Sequence, residues 1–367
     1  MDEDFVNQTM LTCLGNKRKL VKDIYDIVKE LSIKLNKDKL NILDGFSGSC
    51  VVSRALSPLA KDIHTNDLEL YSYLMAKCYL KTPTIREQDI IINHIKKMNE
   101  ISKNGPYYEY GIISKLYAPK DTHNIQEDER VFYTRENALI IDTLRKYIDD
   151  NVEKKIQPYC LVPLLNKASI HNNTAGVFKG FYKGDNNIGK FGGKAENCLS
   201  RIMKPIELDI PIWSKNDFKS YCYNEDINKL IRTIPGNLDV IYLDPPYNQH
   251  PYGSNYFMLN VIAENIEPKE ISKVAGIPKE WNKSDYNKSK SAKESMKHLL
   301  DMSLKKSKYV IISYNNEGII KLDDWNEIFE GYDVEKKEII YDTYKGSRNL
   351  KERDNKVIEI MYIVKNV

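Results

Sequence analysis

The sequence predicts an α/β protein: an open, mostly parallel sheet of the nucleotide-binding kind, interrupted by a large insertion. Two observations carry this. Near the start, two short strands each finish on an acid, and the first, which is apolar, runs straight into a glycine-rich turn and a helix. That rhythm stops near residue 80 and resumes only near residue 216, where further helices and apolar strands follow.

Taken in order, apolar Leu20, Ile24, Ile27, Val28 and Leu31 recur at helical spacing and predict an amphipathic helix over 19–35. Leu40-Asn41-Ile42-Leu43-Asp44 reads as a buried strand, Gly45-Phe46-Ser47-Gly48-Ser49 as a tight turn, and Cys50 to Leu56 as the start of a helix. A second strand, Ile63 to Asp67, precedes a helical stretch over 70–80. Residues 135–149 predict a helix. His171 to Lys194 is rich in Gly, Asn and Lys without apolar periodicity, and predicts extended strands and loops on a surface. A helix over 227–234 and strands over 239–243, 309–314 and 357–364 complete the pattern. At 367 residues the chain exceeds the usual single-core size, so it divides into a first half (1–80), an insertion (81–215) and a second half (216–367).

Hydrophobic content of 41% against 29% charged residues is that of a globular protein, and no apolar run is long enough to cross a bilayer. The start, Met1-Asp2-Glu3-Asp4, is acidic and unlike a signal peptide. Six scattered cysteines without a C-x-x-C pair argue against a zinc site or a disulfide framework and fit a reducing cytoplasm; no metal is expected. Net charge is only +3, so distribution matters more. One basic stretch lies between Leu161 and Pro205, and a second runs from Lys279 to Lys297.

The most informative stretch is Asp239-Val240-Ile241-Tyr242-Leu243-Asp244-Pro245-Pro246-Tyr247. An apolar strand ends on Asp244, and two prolines force a rigid extended turn. In an open α/β sheet such a turn faces the ligand. An aromatic amine is a poor nucleophile because its lone pair is delocalised into the ring. Two acceptors aimed at its N–H bonds, the Asp244 carboxylate and the Pro245 carbonyl, would favour the tetrahedral nitrogen that can attack. Tyr247 offers a flat face on which an extruded base can stack.

Asp244-Pro245-Pro246-Tyr247 resembles the catalytic tetrapeptide of the amino-group methyltransferases. The turn Asp44-Gly45-Phe46-Ser47-Gly48 is similar to their S-adenosylmethionine motif, and Leu14-Gly15-Asn16-Lys17 to their N-terminal Gly-Ser/Asn-Lys motif. The order of these motifs around a long insertion resembles the alpha group of DNA adenine-N6 methyltransferases, across most of the chain. Weaker matches lie at 130–137, Asn173-Thr174-Ala175-Gly176 and Ser313-Tyr314. The resemblance implies a Rossmann-like class I methyltransferase with a mostly parallel seven-stranded sheet and an inserted target-recognition lobe at 81–215. It implies S-adenosylmethionine as donor, S-adenosylhomocysteine as product, and site-specific methylation of a flipped adenine in double-stranded DNA. It also makes a cognate restriction endonuclease a compatible partner. Catalysis would fall to Asp244, Pro245, Pro246 and Tyr247. Asn16, Lys17, Asp44, Phe46 and Gly48 would hold the donor. Asp67, about twenty residues past the first strand, stands where an acid holds ribose hydroxyls, and Asp226 matches the acidic position near the donor's adenine. Cys50 replaces the motif's last glycine, where a left-handed backbone would be disfavoured.

The insertion is the family's usual place for target recognition and here carries the basic excess. His171, Asn172, Asn173, Lys179, Lys183, Lys190 and Lys194 offer donors to phosphates and base edges. Tyr256, in the polar and aromatic stretch after the catalytic turn, would line the flipped-base pocket or fill the gap in the duplex. Three readings compete with DNA adenine-N6 methylation: RNA adenine-N6 methylation, DNA cytosine-N4 methylation, and a silent nucleic-acid-binding subunit of the same fold. Asp244 counts against cytosine-N4 methylation, whose enzymes more often carry Ser there, and intact Asp44, Asp244 and Tyr247 count against the silent subunit.

Overall fold

The computed structural model describes residues 2–8, 11, 15–184, 186–193, 196, 198–342 and 356–367. Its first half runs α1 (Glu3–Asn7), α2 (Val21–Lys34), β1 (Leu40–Asp44), α3 (Val51–Leu56), β2 (Ala60–Asn66) and α4 (Leu70–Leu80). The insertion carries α5 (Ile85–Asn104), α6 (Ile112–Leu116), α7 (Arg135–Asn151), α8 (Gln157–Ile170) and α9 (Leu199–Met203). Then follow β3 (Lys219–Tyr223), α10 (Ile227–Thr233), β4 (Leu238–Leu243), α11 (Tyr252–Asn255), α12 (Phe257–Glu264), α13 (Ala292–Leu304) and β5 (Ser307–Asn315). The chain ends with α14 (Leu322–Ile328), β6 (Tyr332–Asp342) and β7 (Lys356–Asn366).

Seven strands form one sheet in the order β3-β2-β1-β4-β5-β7-β6. The first five are parallel, and β7 enters antiparallel between β5 and β6. The mostly parallel seven-stranded sheet expected from the sequence is therefore present. Strand order reverses between β1 and β4, where Asp44 pairs with Tyr242, two residues before Asp244. The glycine-rich turn and the Pro-Pro turn thus open side by side at the carboxyl ends of adjacent strands, the place where open α/β sheets bind ligands. β4 is buried at every position, as a strand covered on both faces must be.

The insertion is mainly helical. His171 to Lys194 does not form the extended strands expected of it: its described part consists of turns with one isolated bridge, Lys183 to Gly189. Apart from a small cluster around Val131, Phe191 and Ile202, the insertion shares its core with the sheet. One apolar cluster contains Ile91, Leu144 and Leu164 of the insertion together with Ile42 of β1 and Val240 of β4. Arg145 of α7 adds polar ties, donating to the carbonyls of Ile262 (2.8 Å) and Ala263 (3.1 Å) at the end of α12.

Cys50 adopts φ 61°, ψ 18° despite its side chain. A left-handed conformation costs about 1–2 kcal/mol for a residue with a Cβ. The turn accepts that cost while burying the thiol completely.

Candidate active site

The turn after β1 is held from below. Its Ser47 amide donates to the Asn66 carbonyl (2.9 Å), and the Gly48 amide donates to Asp67 Oδ2 (2.8 Å). Asp67 Oδ1 receives the Glu69 amide (2.9 Å), so the acid at the end of β2 joins both loops. Gly48 sits at φ +49° with open space where a Cβ would be, leaving its backbone accessible from the cavity.

The cleft there, open to solvent, spans about 890 Å³ and is lined by Asp44, Phe46, Gly48, Asp67 and Glu69. Asn16, Lys17, Asp244, Pro246 and Tyr252 line it as well. Asp44 is almost fully buried. Its Oδ2 accepts from Ser53 (2.6 Å), and its Oδ1 makes no hydrogen bond. Burial pushes its carboxyl up to about 7, against the Ser53 donation and with help from the Asp244 and Asp67 charges. Burial likewise raises Asp67 to about 6 and Glu69 to about 7. Glu69 is fixed by the amides of Asn260 (2.6 Å) and Asn282 (3.1 Å). A cleft with this many desolvated acids is suited to a cationic ligand.

Lys17 reaches across this cavity to the catalytic turn. Its ammonium lies 2.7 Å from Asp244 Oδ1 and 3.1 Å from Glu359 Oε1. Burial opposes its charge, but the two carboxylates outweigh burial and hold its pKa well above the ordinary value. For Asp244, burial pushes the pKa up, Lys17 pulls it down and Glu359 raises it again, leaving it at about 6. The Asp244 side chain remains 18% exposed, enough to meet a substrate. The turn itself is braced: the Tyr247 carbonyl accepts from the Ile319 amide (2.9 Å) and the Asn248 carbonyl from Asn287 (2.7 Å). Gly15, at φ +74°, packs so closely that a Cβ there would stand 3.2 Å from Tyr247 Cε1 and from the Tyr252 hydroxyl.

Of the expected site residues, Asn16, Lys17, Asp44, Phe46, Gly48, Asp67, Asp244 and Pro246 meet around one cavity. Pro245 is buried in the turn and Tyr247 is half-buried beside Gly15. Phe46 stands edge-on to Tyr286, ring centroids 5.2 Å apart. Asp226 is a correction: it does not line the cavity, and its carboxylate caps α10 by accepting from the Lys229 amide (3.2 Å). Leu14 of the N-terminal motif lies outside the described residues. Glu69, Asn282 and Glu359 were not anticipated. The signal for Glu359 was a lone carboxylate inside the apolar run Val357-Ile358-Glu359-Ile360-Met361.

The expected DNA-contacting residues divide sharply. Lys179, Lys183 and Lys190 are exposed. Lys183 bonds Asn187 (3.1 Å), Lys190 pairs with Glu196 (2.7 Å), and Lys194 lies outside the described residues. His171, Asn172 and Asn173 are instead buried and engaged within the protein. His171 Nδ1 donates to the Arg201 carbonyl (2.7 Å), and Asn172 Oδ1 receives the Thr174 amide (3.1 Å) and hydroxyl (2.6 Å). Asn173 donates to the carbonyls of Val131 (2.9 Å) and Lys190 (3.0 Å) and accepts from Gly192 (3.1 Å). Tyr256 is 1% exposed, stacked on Tyr252 at 5.8 Å. His171, Asn172 and Asn173 hold their own segment together from inside, and Tyr256 packs into the apolar core between α11 and α12. Asn173→Ala is accordingly expected to cost about 1–3 kcal/mol by stranding buried backbone groups. Thermal unfolding would show it as a lowered Tm, whereas a base-reading role would lower DNA affinity at unchanged Tm.

A nucleotide-type sheet carrying an acid, a Pro-Pro turn and an aromatic at its switch point, beside an acidic cleft, defines an amino-group methyltransferase. Residues 14–328 match the D12 class N6 adenine-specific DNA methyltransferases, and the chain belongs to that family. It is a DNA adenine-N6 methyltransferase. It is similar to the type II methyltransferase M.NlaIII of Neisseria lactamica, 25% identical over 96% of this chain and 98% of the relative. The type II methyltransferase M.CviAII of Paramecium bursaria Chlorella virus 1 is 28% identical over 87% of each chain. The type II methyltransferase M.FokI of Planomicrobium okeanokoites is 25% identical over 89% of this chain and 48% of the relative. No helix among the described residues is long and apolar enough to cross a membrane.

Proposed function

We propose that this enzyme takes its methyl group from S-adenosylmethionine and places it on an adenine swung out of duplex DNA at a specific site. It would act in the cytoplasm as the modification partner of a restriction endonuclease. The observation that carries the reading is the meeting of the Asp44 and Asp244 turns at one cavity. The type II relatives support the pairing with an endonuclease.

The residues present fit the donor. The unbonded Asp44 Oδ1 and the raised acids beside it favour a ligand with cationic groups, and the Asp67 and Glu69 carboxylates suit ribose hydroxyls. Asn16, Asp44, Phe46, Gly48 and Asp67 would hold it. When bound, S-adenosylmethionine supplies a methyl group made electrophilic by its sulfonium. The protein's own part is to prepare the adenine amine. The Asp244 carboxylate and the Pro245 carbonyl accept from its two N–H bonds, drawing the nitrogen out of conjugation. Pro246 keeps the two acceptors rigid, and Tyr247 stacks on the base. Lys17 keeps Asp244 ionised in a place where burial alone would favour its protonated form. Exposed Lys179, Lys183 and Lys190 would meet phosphates.

Asp44→Ala is expected to weaken donor binding by about 10–100-fold, the loss of one charge-assisted hydrogen bond. Calorimetric titration of the donor would measure this, and duplex binding should be unchanged. Single-molecule sequencing of DNA from cells expressing the protein tests the whole reading. N6-methyladenine at one sequence context is expected; unmodified DNA would overturn it.

A further inference from the structure

Behind the catalytic turn lies a buried chain of groups contributed by three separate parts of the molecule. Lys17 arrives from the N-terminal arm, Asp244 from the end of β4, and Glu359 from the middle of β7. Glu359 is 1% exposed and stands behind the cavity wall rather than on it. The same oxygen that meets Lys17, Oε1, also accepts from the hydroxyl of Ser313, on the neighbouring strand β5. The Lys17 ammonium is 4% exposed and lies between the two carboxylates. A buried carboxylate is costly unless paired and hydrogen-bonded, and Glu359 satisfies both conditions through groups that lead directly to Asp244.

We propose that Glu359, backed by Ser313, is a positioning residue for methyl transfer: it anchors the Lys17 ammonium against Asp244 and so fixes the orientation and charge of the carboxylate that receives the adenine amine. The inference rests on the reading of Asp244 as that acceptor, and adds a residue beyond the stretch that matches the family. A lysine side chain has four rotatable carbons and loses much freedom when held. With one carboxylate in front and nothing behind, its ammonium could turn about Asp244 or draw that side chain away from the cavity. With Glu359 behind, the ammonium is tethered on both sides and Asp244 Oδ1 is tied to a fixed point. That leaves the rest of the carboxylate to the substrate. Glu359 also acts through charge. The charged and titratable groups around Asp244 are Lys17 from the arm, Glu359 from β7, Tyr242 from β4 and Asp44 from β1. Of these, Lys17 favours the ionised form and Glu359 opposes it.

Glu359→Gln keeps the shape of the side chain and removes its charge. Methyl transfer to duplex DNA, followed across pH 5–9, should show kcat about 10–100-fold lower, the scale of a misplaced catalytic group. The KM values for donor and DNA should be nearly unchanged, and the acid limb of the kcat profile should move to lower pH. Ser313→Ala, which alters no charge, should lower kcat by a smaller factor with the limb in place. A purely structural Glu359 would lower Tm and leave kcat per folded molecule and the acid limb as in the parent. That result would overturn the inference, as would a parent-like Ser313→Ala should Glu359→Gln fail to fold. Asp244→Ala, assayed alongside, separates the two levels: its retained activity would reject the acceptor reading itself. Its inactivity beside an unaltered Glu359→Gln would reject only the role of Glu359.

Discussion

Asp244→Ala is expected to lower kcat by at least about 10²–10³-fold, the typical cost of removing one group that stabilises a transition state in a desolvated site. Duplex affinity and folding should survive. The surviving Lys17 would still face Glu359, so truncation at 244 leaves a neutralised pair rather than a stranded cation. Transfer of a tritiated methyl group reads the loss, and a gel-shift assay reads the retained binding. The parent enzyme should also lose turnover as pH falls through about 6, because the accepting form of Asp244 is the carboxylate, present above its pKa.

The second large effect is on stability. Lys17→Ala leaves two neighbouring buried carboxylates without their shared cation, and breaking a buried pair in this way costs about 3–5 kcal/mol. The sign of its pH dependence follows from linkage. Without Lys17, whose charge pulls it down, the folded-state pKa of Asp244 rises further above that of the unfolded chain. The unfolded chain therefore gives up its protons first as pH increases, and stability falls as pH rises from the unfolded carboxylate range upward. Urea unfolding of Lys17→Ala should show a deficit that is large at pH 8 and shrinks at pH 5. An equal deficit at both pH values would mean that packing, rather than charge, accounts for the loss.

Much of the catalytic half was legible before the structure. β1 and the Pro-Pro turn of β4 could be read because short apolar runs ending in an acid, then glycine or proline, leave few alternatives. The adjacency of the two turns followed from their place in a doubly wound sheet. The edge strands were harder. β3 reads Lys219-Ser220-Tyr221-Cys222-Tyr223 and β6 carries charges at most of its first positions, because an edge needs no continuous apolar face. Asn172 and Asn173 misled for a different reason. An asparagine looks like a surface donor in a polar stretch, yet backbone carbonyls left over from turns can bury it, and sequence does not reveal those carbonyls. Lys17 was legible as a site residue but its target was not. Its pairing with Asp244 and Glu359 depends on how the arm crosses the sheet.

β7 sits second from the edge, wedged between β5 and β6, which both precede it in the chain, and it delivers Glu359 to Lys17. The groups around Asp244 therefore come from segments far apart along the polypeptide. A chain that stops short of β7 carries the Asp44 turn and the Asp244–Tyr247 turn but lacks Glu359 behind Lys17. Such a nascent or prematurely terminated molecule should be inert toward DNA, and competence should arrive late, with the closing of the sheet.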